Sequence, residues 1–257
     1  RDDHDRILPD PYSPIILLPM NHKKVIGILG GMGPVASAET YMQIVRICQR
    51  KYKAVEDHDF PEIFVYSLPL QGFDSIGFQS QDRALILEQL IVALKKLEAS
   101  GVDLIIIDCN TVHYFYDDLQ TRVSPKILNL IQITTDYVAR EGIETVGILC
   151  SNTSRRVGLY EERLEKAGIR HLRTTDEEQR VLDQAILAVM ADKVSYEEHD
   201  GVSLIVDRLF HAGADAIILG CTELSYLLKE RVDTSRYIDS QSLAIAQAVA
   251  EWHASSL

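Results

Sequence analysis

Two cysteines stand at matching places in a segment that occurs twice: Gly101-Val-Asp-Leu-Ile-Ile-Ile-Asp-Cys109 and Gly213-Ala-Asp-Ala-Ile-Ile-Leu-Gly-Cys221. A free thiol ionises near a pH of about 8.5, so modest tuning leaves one member of a pair as thiolate base and the other as thiol acid. Two such groups facing one another across a cleft suit removal of a proton from one face of a carbon and its return on the other, which inverts a stereocentre. A single buried cysteine is more often a small hydrophobe. Repetition of the pair, at one offset from a Gly-x-Asp, is what points to chemistry. The other two cysteines are read as packing residues, Cys48 on a predicted helix and Cys150 at the end of a strand.

The residues beside the thiols are suited to holding a carboxylate. Asn110 and Thr111 follow Cys109, Thr222 follows Cys221, and their side chains and turn N–H groups can donate to oxygens. Gly30-Gly31-Met32-Gly33-Pro34 removes side chains where a ligand must approach the backbone, and Ser151-Asn152-Thr153 is its counterpart in the second half. His113 and Glu223 are candidates for setting the protonation of the thiols, since an imidazolium favours a thiolate and a carboxylate favours a thiol. Ordinary turn and cap chemistry accounts for any one of these residues taken singly.

Other chemistries fit less well. The strand, glycine and helix order is Rossmann-like, but Gly27-x-x-Gly30-Gly31-x-Gly33 lacks the dinucleotide spacing, and neither Asp57 nor Asp59 clearly ends a second strand. Cys109, His113 and Cys221 are too few for a metal site without a further convergent ligand, so no metal is expected. Neither a Gly-x-Ser-x-Gly elbow nor a P-loop is present.

The elements that must position the thiols follow from hydrophobic periodicity. An apolar run rich in β-branched residues after a glycine turn reads as a central strand covered on both faces, which puts each cysteine at a carboxyl-terminal strand edge, where open α/β sheets bind ligands. In the first half strands are predicted at 25–29, 63–68 and 104–107, with helices at 36–51 and 83–99. In the second half strands are predicted at 145–150 and 216–219, with helices at 159–167, 176–191 and 202–211. A last helix, 242–252, is expected to pack back on the first half. Val-Gly-Ile-Leu at 146–149 echoes Ile-Gly-Ile-Leu at 26–29, and two cues repeated in one order indicate duplication.

The expected fold is therefore α/β, with two pseudo-symmetric domains, each a mostly parallel sheet flanked by helices, and the active site in the interdomain cleft. The expected division is 1–23 as an N-terminal extension, disordered or added upstream of Met20, then 24–125 plus 232–257, then 126–231. The chain has 257 residues, 46% of them hydrophobic, enough for a substantial core. A formal net charge of −12 argues against nucleic acid as a partner. No apolar stretch approaches the roughly 20 residues that span a bilayer. Four cysteines without a CxxC pair fit a reducing cytoplasmic setting rather than a disulfide framework.

Ile28-Leu-Gly-Gly-Met-Gly-Pro34, Cys109-Asn-Thr-Val-His113 and Gly220-Cys-Thr-Glu-Leu224, in that order, resemble the three signatures of the cofactor-independent aspartate/glutamate racemase family, over a span from about Lys24 onward. The resemblance implies an isomerase that needs no pyridoxal phosphate or other cofactor, acts on a small amino acid with aspartate as first choice, and forms a homodimer. It implies that Cys109 and Cys221 are the catalytic thiols, that Asn110, Thr111, Thr153 and Thr222 contact the substrate carboxylate, and that Gly31 and Met32 form the loop beside the substrate. Two departures concern the distal carboxylate of an acidic substrate. Where aspartate-specific members carry an arginine after the second strand, this chain reads Ser67-Leu-Pro-Leu-Gln-Gly-Phe-Asp-Ser75; where many carry a Lys-x-Gly after the long helix of the second half, it reads Ala191-Asp-Lys193. Ser67 and Lys193 remain as supporting candidates. Two alternatives stay open: a related isomerase, decarboxylase or hydantoin racemase of the same fold, and a binder of an acidic metabolite that has lost catalysis.

Overall fold

The computed structural model describes residues 23–73, 78, 80–228 and 236–255, so the expected N-terminal extension falls outside the described residues apart from Lys23. The first half runs β1 (Ile26–Gly30), α1 (Pro34–Tyr52), β2 (Ile63–Ser67), α2 (Arg83–Ala99), β3 (Leu104–Ile107), a 3-10 turn (Thr111–Phe115), α3 (Tyr116–Gln120) and β4 (Lys126–Ile127). The second runs α4 (Leu130–Arg140), β5 (Thr145–Cys150), α5 (Asn152–Val157), α6 (Glu161–Lys166), β6 (Arg170–Leu172), α7 (Asp176–Met190), α8 (Tyr196–His211), β7 (Ala216–Gly220), α9 (Thr222–Leu228), β8 (Tyr237–Asp239) and α10 (Ser240–Ala254).

Each half builds a parallel four-stranded sheet, and the strand orders match: β2-β1-β3-β4 and β6-β5-β7-β8. The central strands β1, β3, β5 and β7 are buried along their whole length, as near-continuous apolar runs require when helices cover both faces. The repeated Gly-x-Asp has a structural basis. Gly101 and Gly213 adopt φ of +82° and +97°, left-handed values that let the chain leave α2 and α8 and turn toward the next strand. Two residues on, the Asp103 carboxylate accepts from the N–H of Val25 at 2.7 Å, and the Asp215 carboxylate accepts from the N–H of Thr145 at 2.9 Å. Each aspartate thus anchors the start of the strand beside its own.

The edge strands β4, β6 and β8 were not expected. They have only two or three residues each, too few for a periodicity to show. β4 belongs to the first sheet and β8 to the second, so the sheets end at 127 and 239 rather than at the expected boundaries of 125 and 231. α8 begins six residues earlier than periodicity alone placed it, at Tyr196, because Ser195 and Glu198 form a reciprocal capping box. α10 returns to the first half as expected, where Ile245, Ala248, Val249 and Trp252 join Ile26, Ile28, Ile44 and Ile106 in one core cluster. Among the described residues no helix is long and apolar enough to cross a membrane.

Candidate active site

β1 and β3 are neighbours whose crossovers leave in different directions, and so are β5 and β7; the carboxyl ends of such pairs are where α/β sheets open a crevice. Cys109 follows β3 and Cys221 follows β7, and both thiols line one cavity of about 360 Å³. Gly31, Met32 and Thr111 from the first half and Ser151 and Glu223 from the second complete its polar and loop surfaces. Gly31 has φ of +94°, and a side chain there would run into the backbone of Leu68 at 2.5 Å, so the loop can pass beside the thiols only as glycine.

The two thiols have different surroundings. Burial pushes Cys109 up to about 12; the N–H groups of Val112 and Thr111 act against that rise, and the carboxylates of Glu223 and Asp108 add to it. Burial also raises Cys221 well above the ordinary thiol range, and Glu223 raises it further through both its charge and a hydrogen bond. In that bond the Cys221 thiol donates to Oε2 of Glu223 at 3.0 Å, and the Thr222 hydroxyl donates to the same oxygen at 2.9 Å. Burial thus keeps both thiols protonated, and the hydrogen bond to Glu223 sets Cys221 apart from Cys109.

Thr111 and Ser151 tie the two halves together at the cavity wall. The Thr111 hydroxyl lies 2.9 Å from that of Ser151 and 3.0 Å from that of Ser154, and Ser151 caps α5. Asn110 is 2% exposed and is not among the residues that line the thiol cavity. Its carbonyl oxygen accepts from the Tyr160 hydroxyl and lies 3.0 Å from that of Ser240, while its amide nitrogen has no hydrogen-bond partner.

Several candidates from the sequence sit elsewhere. His113 does not face the thiols: its ring nitrogens lie 2.9 Å from the carbonyl of Cys109 and 3.3 Å from that of Leu128, burial lowers its pKa, and the neutral ring, with one N–H, donates to one of these two carbonyls. Thr222 lines a neighbouring cavity, and Thr153 is buried and does not line the thiol cavity, whereas its neighbour in sequence Ser151 does. Ser67 and Lys193 are exposed and do not line it either. Cys48 and Cys150 are buried in separate core clusters, as packing residues would be.

Sequence reasoning missed two features. Leu70, Phe73, Leu187 and Met190 line the thiol cavity, and no motif marks them. Asp108, fully buried beside Cys109, accepts from the Thr40 hydroxyl at 3.1 Å, leaves Oδ2 without a partner, and is raised by burial to about 7. It lines a second cavity of about 520 Å³ between α1, α9 and α10 that neither thiol enters.

The family model described as Asp/Glu/hydantoin racemase matches residues 29–248. The chain is 26% identical over 229 residues to the broad specificity amino-acid racemase RacX of Bacillus subtilis (strain 168), covering 89% of this chain and 98% of that protein. Its fold resembles a crystal structure of an aspartate racemase homologue from Pyrococcus horikoshii OT3, with a TM-score of 0.73 and 26% identity over 90% of this chain and all (100%) of the other. It also resembles the Picrophilus torridus aspartate racemase, with a TM-score of 0.69 and 22% identity over 91% of this chain and 100% of the other.

Proposed function

The chain belongs to the Asp/Glu/hydantoin racemase family, and from that premise we propose that it interconverts the enantiomers of a free α-amino acid by proton transfer between Cys109 and Cys221. The observation that carries this reading is that two thiols from equivalent strand ends of the two halves line a single cavity. In the proposed reaction Cys109, as thiolate, removes the α-proton from one face. Cys221, as thiol, delivers its proton to the other, so the negative charge passes from the first sulfur to the second. The reverse reaction uses the same groups with their roles exchanged.

Burial disfavours ionisation of either thiol, so the substrate's own charge must help. Its ammonium group, seated against Glu223, brings a positive charge beside the sulfurs and lowers the cost of a thiolate. The hydroxyls of Thr111 and Ser151 and the unpartnered amide of Asn110 are assigned to the α-carboxylate, where donors matter most as the carbanion forms and charge spreads onto those oxygens. Gly31 and Met32 are assigned to the wall over the reacting carbon. Thr222 acts through Glu223, and His113 through the backbone of Cys109.

Aspartate and glutamate are the reference substrates from the sequence resemblance. The reading extends to a cytosolic enzyme, supported by four unpaired buried cysteines, and to a homodimer, which light scattering would check. Proton NMR of an amino-acid panel in D2O tests the reaction. Loss of the α-proton signal with appearance of the other enantiomer, the inversion being abolished by Cys109→Ser and by Cys221→Ser, is the expected result. A folded, reduced sample that exchanges no α-proton overturns it.

A further inference from the structure

The cavity that holds the thiols has a second, apolar half. Leu70 and Phe73, in the segment after β2, contribute to it from the first half of the chain, and Leu187, Met190 and Ala191 from the end of α7 in the second. Leu187 and Met190 are one helical turn apart and stay 46% and 47% exposed, whereas the core-facing side of α7 is made by Leu182, Ala185, Ile186 and Val189. Large apolar side chains left uncovered at the mouth of a cavity gain when a ligand's apolar group removes them from water.

Charge in the cavity points the same way. Among its described lining residues none is a lysine or arginine, and the ionisable side chain apart from the thiols is Glu223. A side-chain carboxylate placed here would lose its hydration against Leu70 and Phe73 and find no opposite charge among the described lining residues.

We infer that the substrate carries an uncharged apolar side chain of the leucine or methionine type, held between Leu70 and Phe73 on one wall and Leu187 and Met190 on the other. The inference rests on the racemase reading and, among free α-amino acids, puts aliphatic ones in place of the acidic ones that the sequence resemblance implies. The polar half of the cavity holds the groups common to every α-amino acid, and the apolar half selects among them.

The test compares kcat/KM for inversion of leucine, methionine, alanine, aspartate, glutamate and lysine. Leucine and methionine are expected to exceed the two acids and lysine by about tenfold or more. Turnover of aspartate, glutamate or lysine at equal or greater efficiency overturns the substrate assignment while leaving the racemase reading intact. Absence of exchange with every amino acid removes the racemase reading itself and the assignment with it. Leu187→Ala and Met190→Ala, at half-exposed positions that tolerate truncation, are expected to lower kcat/KM about tenfold more for leucine and methionine than for alanine. An equal loss for all three in variants that keep their circular dichroism spectrum means that the pair does not touch the side chain, and overturns the assignment.

Discussion

The thiol of Cys221 and the carboxylate of Glu223, two residues apart in sequence, share a 3.0 Å hydrogen bond in which sulfur is the donor. Replacing the carboxylate by an amide removes the charge that opposes ionisation. In a Cys109→Ser background, Glu223→Gln is expected to speed iodoacetamide alkylation of Cys221 at pH 8, about tenfold for each pKa unit lowered while the thiol remains mostly protonated. An alkylation rate unchanged from the parent would show that Glu223 does not hold the proton on sulfur.

In the proposed reading Tyr160 acts on the site through Asn110, whose carbonyl oxygen accepts its hydroxyl while the amide nitrogen has no hydrogen-bond partner. Tyr160→Phe keeps the buried ring and removes the restraint. KM is expected to rise about fivefold to tenfold with a smaller change in kcat, measured by polarimetry or chiral chromatography. A fall in kcat alone, with KM constant, would count against the positioning role.

Asp108 gives the fold a pH dependence of its own. Burial raises it from 3.8 to about 7, so between these values the native state binds a proton that the unfolded chain releases. Its contribution to stability is complete below the lower value, is lost as pH rises, and is gone above about 7. Asp108→Asn should therefore gain stability relative to the parent on going from pH 4 to pH 8, by at most a few kcal/mol at about 1.4 kcal/mol per pKa unit. Melting temperatures of both proteins across that range provide the check.

The paired aspartates of the repeat anchor strands and take no part in the chemistry. Asp103→Ala and Asp215→Ala are each expected to cost about 1 kcal/mol of stability. Being in separate halves, their effects should add in the double variant, with kcat unaltered. Chemical denaturation and a rate assay measure the two quantities separately.

The sequence made the central strands legible because strands buried on both faces are written as unbroken apolar runs, and the duplication because Gly-x-Asp serves the same anchoring purpose twice. Cys109 and Cys221 were legible for the same reason, being fixed to the ends of those runs. The early start of α8 had a signal, Ser195-Tyr-Glu-Glu198, that periodicity overlooked. The short edge strands had none. His113 and Lys193 illustrate a different limit: nearness in sequence gives no side-chain direction, and one turns to backbone carbonyls while the other stays in solvent. Leu187 and Met190 reach the cavity from a helix whose apolar residues all look alike on paper.

The return of α10 to the first sheet has a consequence for synthesis on the ribosome. Ile26 and Ile28 are among the first described residues to emerge, yet the face they form is covered by Ile245, Val249 and Trp252, which come near the end of the described chain. The earlier-made sheet thus waits, one side open, while the second is translated and can close over its own core. A nascent chain stalled before residue 240 should expose that face to proteases, and one that includes α10 should protect both halves together.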